Sequence, residues 1–405
     1  MNLSLCPFCP LLCDDVPALA LRDPAATAPP CPRRRAAVAR LAAAGEAVPR
    51  IDGRPASRDE ALDRAADLLA AARMPLLLWA GGDVAAARAT VALAERLRAG
   101  LDLDRGGRPA ADAVLRARTP LVLATLAEVR NRADLVLLFG TDGTTVLPRL
   151  LPRVLRPSRA IAAEHLRTRR IVRIGEGFAP AEGVEDIPCP ADTLHRAAAV
   201  LRARVKGHRL PPSPLAGRDD LAALAEALRT ARYAVVIWHA AELPPPRAEP
   251  VIEMLAGLVR DLNRERRAVA LPLAGGFGGT LEKVALWQTG TNVPLSFADG
   301  APDGEPRRFD GARLAAAGRV DLRLWIGAGV DADPPAGPGP LIALHHPARR
   351  PDAAVALPVA IPGIHTDSTL FRLDGVVALR ARAVTPSVLP SAAETLAALR
   401  RRLDR

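Results

Sequence analysis

Short apolar runs without a polar face constrain this chain more than any other feature. Pro75 to Trp79, Leu135 to Phe139, Tyr233 to Trp238 and Ala268 to Leu273 are the clearest, with Arg170 to Gly175, Val320 to Gly327, Leu341 to Leu344 and Ala354 to Val359 as weaker versions. A strand with one wet face alternates, so a run that does not alternate is covered on both sides. Between the runs the spacing turns helical. Ser57 to Ala72 opens with an N-cap and Asp59 and Glu60, then repeats Leu62, Ala66 and Leu69. Val84 to Leu97, Asp192 to Val205, Arg218 to Leu228 and Pro250 to Arg264 follow the same rule. Strands and helices in alternation predict an α/β chain with parallel sheets. At 405 residues there is room for two or three domains. We expect two doubly wound units behind a small N-terminal lobe. The longest apolar runs stop after about six residues, short of the roughly 18–20 that span a bilayer. No membrane association is expected. Cysteines stand where a secretory signal would place an apolar segment, so the expected compartment is the cytoplasm.

The formal charge of +11 is almost all arginine, since Lys206 and Lys283 are the only lysines. The arginines are scattered through alanine-rich helices, as codon bias alone would produce. With 3% aromatics and a single tyrosine, Tyr233, the stacking groups of a nucleic-acid binder are lacking. An acidic subunit or an anionic small molecule stays open as a partner. The histidines His165, His195, His208, His239, His345, His346 and His365 show no metal-binding spacing, and no nucleophile elbow or Walker loop is present. The adjacent pair His345-His346 reads as a strand exit. Gly275 to Gly279 could cradle an anion, although a tight turn explains it as well.

Four of five cysteines lie within the first 31 residues: Cys6, Cys9, Cys13 and, eighteen residues on, Cys31. A C-x2-C-x3-C string lets three thiolates converge on one soft centre, and the distant fourth completes the set. A [4Fe-4S] cluster fits this spacing. Zinc would accept the same ligands, and four cysteines without metal are the third reading. Disulfides are unlike a cytosolic chain. Cys189 stands alone and reads as a buried thiol.

Four segments together resemble one family. They are the cysteine string ending Leu-Leu-Cys13-Asp-Asp15; Thr125-Leu-Ala-Glu-Val-Arg-Asn-Arg-Ala-Asp134 running into a strand and Gly140; Leu286-Trp-Gln-Thr-Gly290 with Pro294 and Asp299-Gly300; and Thr369-Leu-Phe-Arg-Leu-Asp374-Gly-Val. In this order, over residues 6 to 376, they resemble the B subunit of formylmethanofuran dehydrogenase, within the molybdopterin oxidoreductases. The resemblance implies a cluster lobe followed by two Rossmann-like domains of the molybdopterin-oxidoreductase large-subunit type. The boundaries we expect are 1–50 for the lobe, 51–140 for the first part of one α/β domain, 141–340 for the second domain and 341–405 for the return to the first. Dinucleotide phosphates would sit at glycine turns such as Gly81-Gly82, Gly140 to Thr145, Gly175 and Gly327 to Gly329.

The sequence also departs from the family. Its molybdenum or tungsten is held partly by a protein Cys or selenocysteine, yet no Cys, Ser or His lies between Asp83 and Arg130. A phosphate loop after Trp79 would favour hydroxyls, whereas Asp83 would repel a pyrophosphate. A bacterial branch fits these losses: the formyltransferase/hydrolase complex of methylotrophs, which moves a formyl group from tetrahydromethanopterin to a methanofuran-like carrier and releases formate. There the resemblance implies chemistry on the A and D subunits, and a B subunit retained as scaffold beside the A, C and D subunits, without molybdopterin or tungstopterin. The alternative is a working tungsten or molybdenum formylmethanofuran dehydrogenase subunit, an oxidoreductase.

Overall fold

The computed structural model describes residues 3–108, 110–161, 167–274, 277–329, 332–385 and 387–405. They form two compact units, Met1–Ala113 with Gly275–Arg405, and Val114–Ala274. In chain order the first unit begins with β1 Leu3–Ser4, β2 Val16–Pro17, α1 Pro32–Ala43, β3 Arg50–Ile51, β4 Arg54–Pro55, α2 Arg58–Ala71, β5 Pro75–Gly81, α3 Val84–Arg96 and β6 Gly100–Leu103. Helix α4, Ala111–Arg118, leads into the second unit, which holds α5 Leu126–Arg132, β7 Leu135–Phe139, β8 Arg170–Gly175, β9 Glu185–Pro188, α6 Leu194–Val205, α7 Asp219–Thr230, β10 Tyr233–His239, α8 Ala248–Leu262 and β11 Arg267–Leu273. The first unit resumes with α9 Gly278–Thr289, β12 Leu295–Ser296, α10 Gly311–Ala316, β13 Leu322–Gly327, β14 Leu341–His345, β15 Val355–Pro358, the hairpin β16 Ser368–Phe371 and β17 Ala378–Ala381, and α11 Ala392–Leu403.

The first unit is built on an eight-stranded sheet of order β12-β6-β5-β13-β14-β15-β3-β4. Its centre, β6-β5-β13-β14-β15, is parallel, and the antiparallel strands lie at the two edges. Alternate residues of the apolar runs go to opposite faces. Leu77, Trp79, Leu324 and Ile326 join Leu62, Leu69, Val91, Leu396 and Leu399 on one side. Leu76, Leu78 and Trp325 pack with Leu341 and Leu314 on the other. The strand order reverses between β5 and β13, so ligands of such a sheet would meet the chain beyond Gly81 and Gly327. The second unit is a five-stranded, all-parallel sheet, β11-β10-β7-β8-β9, whose order reverses between β7 and β10. Both sheets match the expected α/β class.

Two details differ from the sequence reading. Residues 275–340, grouped there with the second domain, belong to the first unit, because β13 pairs Leu324 with Leu77 on one side and with Ile342 on the other. Residues 114–140 belong to the second unit, where β7 is the central strand. Apolar runs announce a buried strand without naming its neighbour. Strand β6, helices α5, α9 and α11 and the β16–β17 hairpin are additions; β6 is four residues long with a polar third residue, too short for its pattern to show.

Gly327 closes β13 directly beneath the Trp325 ring. A methyl group at Gly327 would stand 1.9 Å from that indole, itself 0% exposed and hydrogen-bonded from Nε1 to the Asp104 carboxylate at 2.8 Å. Gly327→Ala should therefore cost about 1–3 kcal/mol, read as a lowered urea midpoint with unchanged slope. An unaltered midpoint would mean that the ring yields freely.

Candidate functional site

The strand-order reversal of the first unit collects the features singled out in the sequence. Beyond β5, the Asp83 side chain accepts the Ala86 N–H at 2.9 Å and so caps α3. That N-terminus is the group of donors a phosphate would need, and the chain's own carboxylate already holds it. Burial raises the Asp83 pKa above its ordinary value, against the hydrogen bonds from Ala86 and Ser368 that lower it. Beyond β13, Gly329 comes close to the same turn: a Cβ there would lie 3.7 Å from the Gly82 nitrogen and 3.6 Å from the Phe277 ring. Phe277 is 2% exposed, and its carbonyl accepts a 3.0 Å hydrogen bond from the buried Trp79 indole. The glycine turns thus meet side chains of this protein. In the second unit Gly140, at φ 67°, behaves alike, because a Cβ would stand 2.6 Å from Leu243 and 3.3 Å from Leu194.

Phe277 also touches the N-terminal lobe, packing with Leu12, Leu370 and Ala381. There β1 and β2 pair antiparallel at the base of a hairpin whose tip carries three cysteines. Cys6 N–H donates to the Cys13 carbonyl at 2.8 Å, and Leu12 N–H, in the left-handed region at φ 47°, donates to the Cys9 carbonyl at 3.1 Å. Cys31 is the N-cap of α1. The loop before it is fixed by Arg34, whose guanidinium, 1% exposed, donates to the carbonyls of Ala26, Thr27 and Ala28. All four cysteines are buried and none is in a disulfide. Burial raises the Cys6 pKa well above its ordinary value, and the nearby Cys9, Cys13 and Cys31 thiols raise it further. The structure therefore gathers the four cysteines in one apolar lobe. Among the described residues no group of three or more His, Cys, Asp or Glu side chains is placed to hold a single metal ion.

The end of β6 and the segment after it, where the family's metal ligand would lie, are built from charge. Asp102, 1% exposed, accepts from Arg105 at 2.6 Å and from the Gly311 N–H at 2.9 Å, while Asp310 accepts from the Ala110 N–H at 2.7 Å. Sequence reading passed over Asp102, Asp310 and Arg34, and took in Phe277 only as part of the turn Gly275 to Gly279. Only Arg34 had a signal, standing four residues before the buried Val38 on the inner face of α1.

The other motifs resolve into architecture. In Thr125 to Asp134 the Thr125–Glu128 capping box opens α5, Asn131 accepts from the Ile161 N–H, and Asp134 accepts from the Arg232 and Tyr233 N–H groups at 2.8 Å each. In Thr369 to Val376 the Asp374 carboxylate is paired with Arg372 at 2.6 Å, and Leu373 N–H donates to the Pro10 carbonyl of the cysteine hairpin at 2.8 Å. Trp287, at the end of α9, is 62% exposed and meets Phe371 edge-on at 5.4 Å. Cys189 is buried and 3.4 Å from the Thr193 hydroxyl. His345 ends β14, and its Nδ1 lies 2.9 Å from the His346 carbonyl. His165, Gly275 and Gly276 lie outside the described residues. No helix is long and apolar enough to cross a membrane, among the described residues.

A doubly wound chain with a cysteine lobe at its front and this order of motifs defines the class of formylmethanofuran dehydrogenase-type B subunits. Comparison with known proteins narrows the class. The chain is 34% identical over 366 residues to the B subunit of the formyltransferase/hydrolase complex of Methylorubrum extorquens, covering 87% of this chain and 96% of that one. It belongs to that B-subunit family. Its structure superposes on a chain of the formyltransferase/hydrolase complex of the same organism, solved with methylofuran, at a TM-score of 0.74 and 32% identity, covering 88% of this chain and 99% of the other. More distant is the B subunit of the tungsten-containing formylmethanofuran dehydrogenase 2 of Methanococcus maripaludis, 22% identical over 99% of this chain and 98% of the relative. No protein-family model matches.

A buried acid with a raised pKa stabilises the fold while protonated, and that contribution is lost as pH rises from its ordinary value through the raised one. Asp83→Asn keeps an N-cap and removes the titration. Its urea midpoint should fall less than that of the parent between about pH 4 and pH 7; equal changes would show that Asp83 does not titrate abnormally.

Proposed function

We propose that this chain acts as the structural B subunit of a formyltransferase/hydrolase complex, holding the A, C and D subunits while they move a formyl group from tetrahydromethanopterin through a methanofuran-like carrier to formate. On this reading the chain itself carries out no redox step and binds no molybdopterin or tungstopterin. The observation that supports it best is the filling of the β5–β13 crevice by Phe277, with Asp83 already on the α3 N-terminus where an anionic cofactor would bind. Leu286, Trp287 and Val376 are exposed apolar side chains of the kind that subunit contacts use.

Within the same proposal, Cys6, Cys9, Cys13 and Cys31 hold a [4Fe-4S] cluster. Four buried thiols without a disulfide suit it, since each thiolate binds its own iron. A single zinc would need all four thiols drawn onto one point with Zn–S bonds of about 2.3 Å, whereas a cluster spreads them over four irons. Such a cluster supplies one-electron transfer where a partner exists, and otherwise cross-links the lobe.

The complex purified without oxygen should contain iron and sulfide near four per copy of this chain, both lost in Cys9→Ala, and no stoichiometric tungsten or molybdenum. Colourless, iron-free protein would refute the cluster, and stoichiometric tungsten would refute the scaffold. Deleting this chain should abolish assembly of the other subunits, while Gln288→Ala should leave formate release within about twofold. Normal assembly without the chain would sink the proposal.

A further inference from the structure

A cavity of ≈ 440 Å³ opens in the first unit beyond the carboxyl end of β14, between the stretch 43–50 that follows α1 and the turn at 347–350. It is separate from the β5–β13 crevice, as neither glycine turn lines it. Its size is that of small-molecule sites, which run to about 300–1,000 Å³. Its lining mixes alanine, valine and proline with Arg50, Arg349, Arg350 and His345 and with the carboxylates of Glu46 and Asp333. Three guanidinium groups against two carboxylates leave the lining one unit positive. Two of the three are already engaged: Arg349 with Asp333, and Arg50 with the Gly53 carbonyl at 2.7 Å. The third, Arg350, makes no hydrogen bond or ion pair among the described residues, and its Nη2 lies 3.8 Å from where a Gly45 Cβ would stand. Its planar fork is therefore available to a ligand in the cavity mouth. His345 is 4% exposed, and burial lowers its pKa, so at neutral pH the uncharged ring donates from Nδ1 to the His346 carbonyl and leaves Nε2 an acceptor.

We infer that this cavity binds a small oxyanion-bearing molecule, its carboxylate or phosphate on Arg350 and a hydroxyl or amino donor on His345. The site is independent of the assembly role proposed above.

Calorimetric titration of the intact complex with malate, with succinate and with glycerol 3-phosphate tests it. One of the hydroxylated anions should bind saturably, at least about tenfold more tightly than in Arg350→Met, a change of about 1.4 kcal/mol. Malate should also exceed succinate, which lacks the hydroxyl, and that preference should vanish in His345→Phe if the fold, checked by circular dichroism, is kept. A carboxylate ligand and a phosphate ligand are told apart by whether malate or glycerol 3-phosphate binds tighter. Absence of saturable binding by all three, or binding unaltered in Arg350→Met, would overturn the inference.

Discussion

The hydrogen bond from the Trp79 indole to the Phe277 carbonyl, buried and 3.0 Å long, holds the centre of this structure together. An indole N–H without a partner in an apolar core costs about 1–3 kcal/mol, so Trp79 fixes the backbone at 277 as firmly as Phe277 fixes the ring. That anchor presses Phe277 against Gly329 on one side and against Leu12 and Leu370 on the other. The crevice beyond the sheet, the cysteine hairpin and the β16–β17 hairpin are thus joined through one aromatic ring. Leu373 N–H on the Pro10 carbonyl and the Arg372–Asp374 pair complete the join. The sequence motif around Asp374 is therefore a brace for the cysteine lobe.

Glycine-rich turns at strand ends are where a doubly wound fold binds phosphates, and this chain keeps the turns while using them otherwise. Trp325 lies over Gly327, and Leu243 and Leu194 lie over Gly140. A close-packing glycine and a phosphate-binding glycine look the same in a sequence, since both need the missing Cβ. What separates them is a side chain distant along the chain, as Leu243 is from Gly140. The same limit explains Phe277 and Asp310, which face their sites from positions with no periodic signal. By contrast the strands and the Ser57 cap were legible, because unbroken apolar runs and an N-cap three residues before Glu60 each carry their cause within a few neighbours. Arg34 was legible in part, through its place on the inner face of a short helix.

Charge follows the same division. The arginines are scattered along helices, strands and loops, as a composition effect would leave them, but a few guanidiniums are committed to the interior. Arg34 ties three carbonyls, Arg105 meets Asp102, and Arg323 donates to the carbonyls of Pro335 and Pro338. Each replaces hydration with fixed oxygen partners, the condition on which a buried cation is tolerated.

The interruption of the first unit by the second sets a timetable for synthesis. Strand β5 leaves the ribosome about 240 residues before its partner β13, while every strand of the second unit lies within the contiguous stretch Val114–Ala274. Domains fold as units during synthesis at about 5–20 residues per second, so the inserted unit is complete while β5 still presents an unpaired apolar edge. The parent sheet waits on the order of ten seconds or more for its centre, an interval in which that apolar edge has no partner in its own sheet on the β13 side.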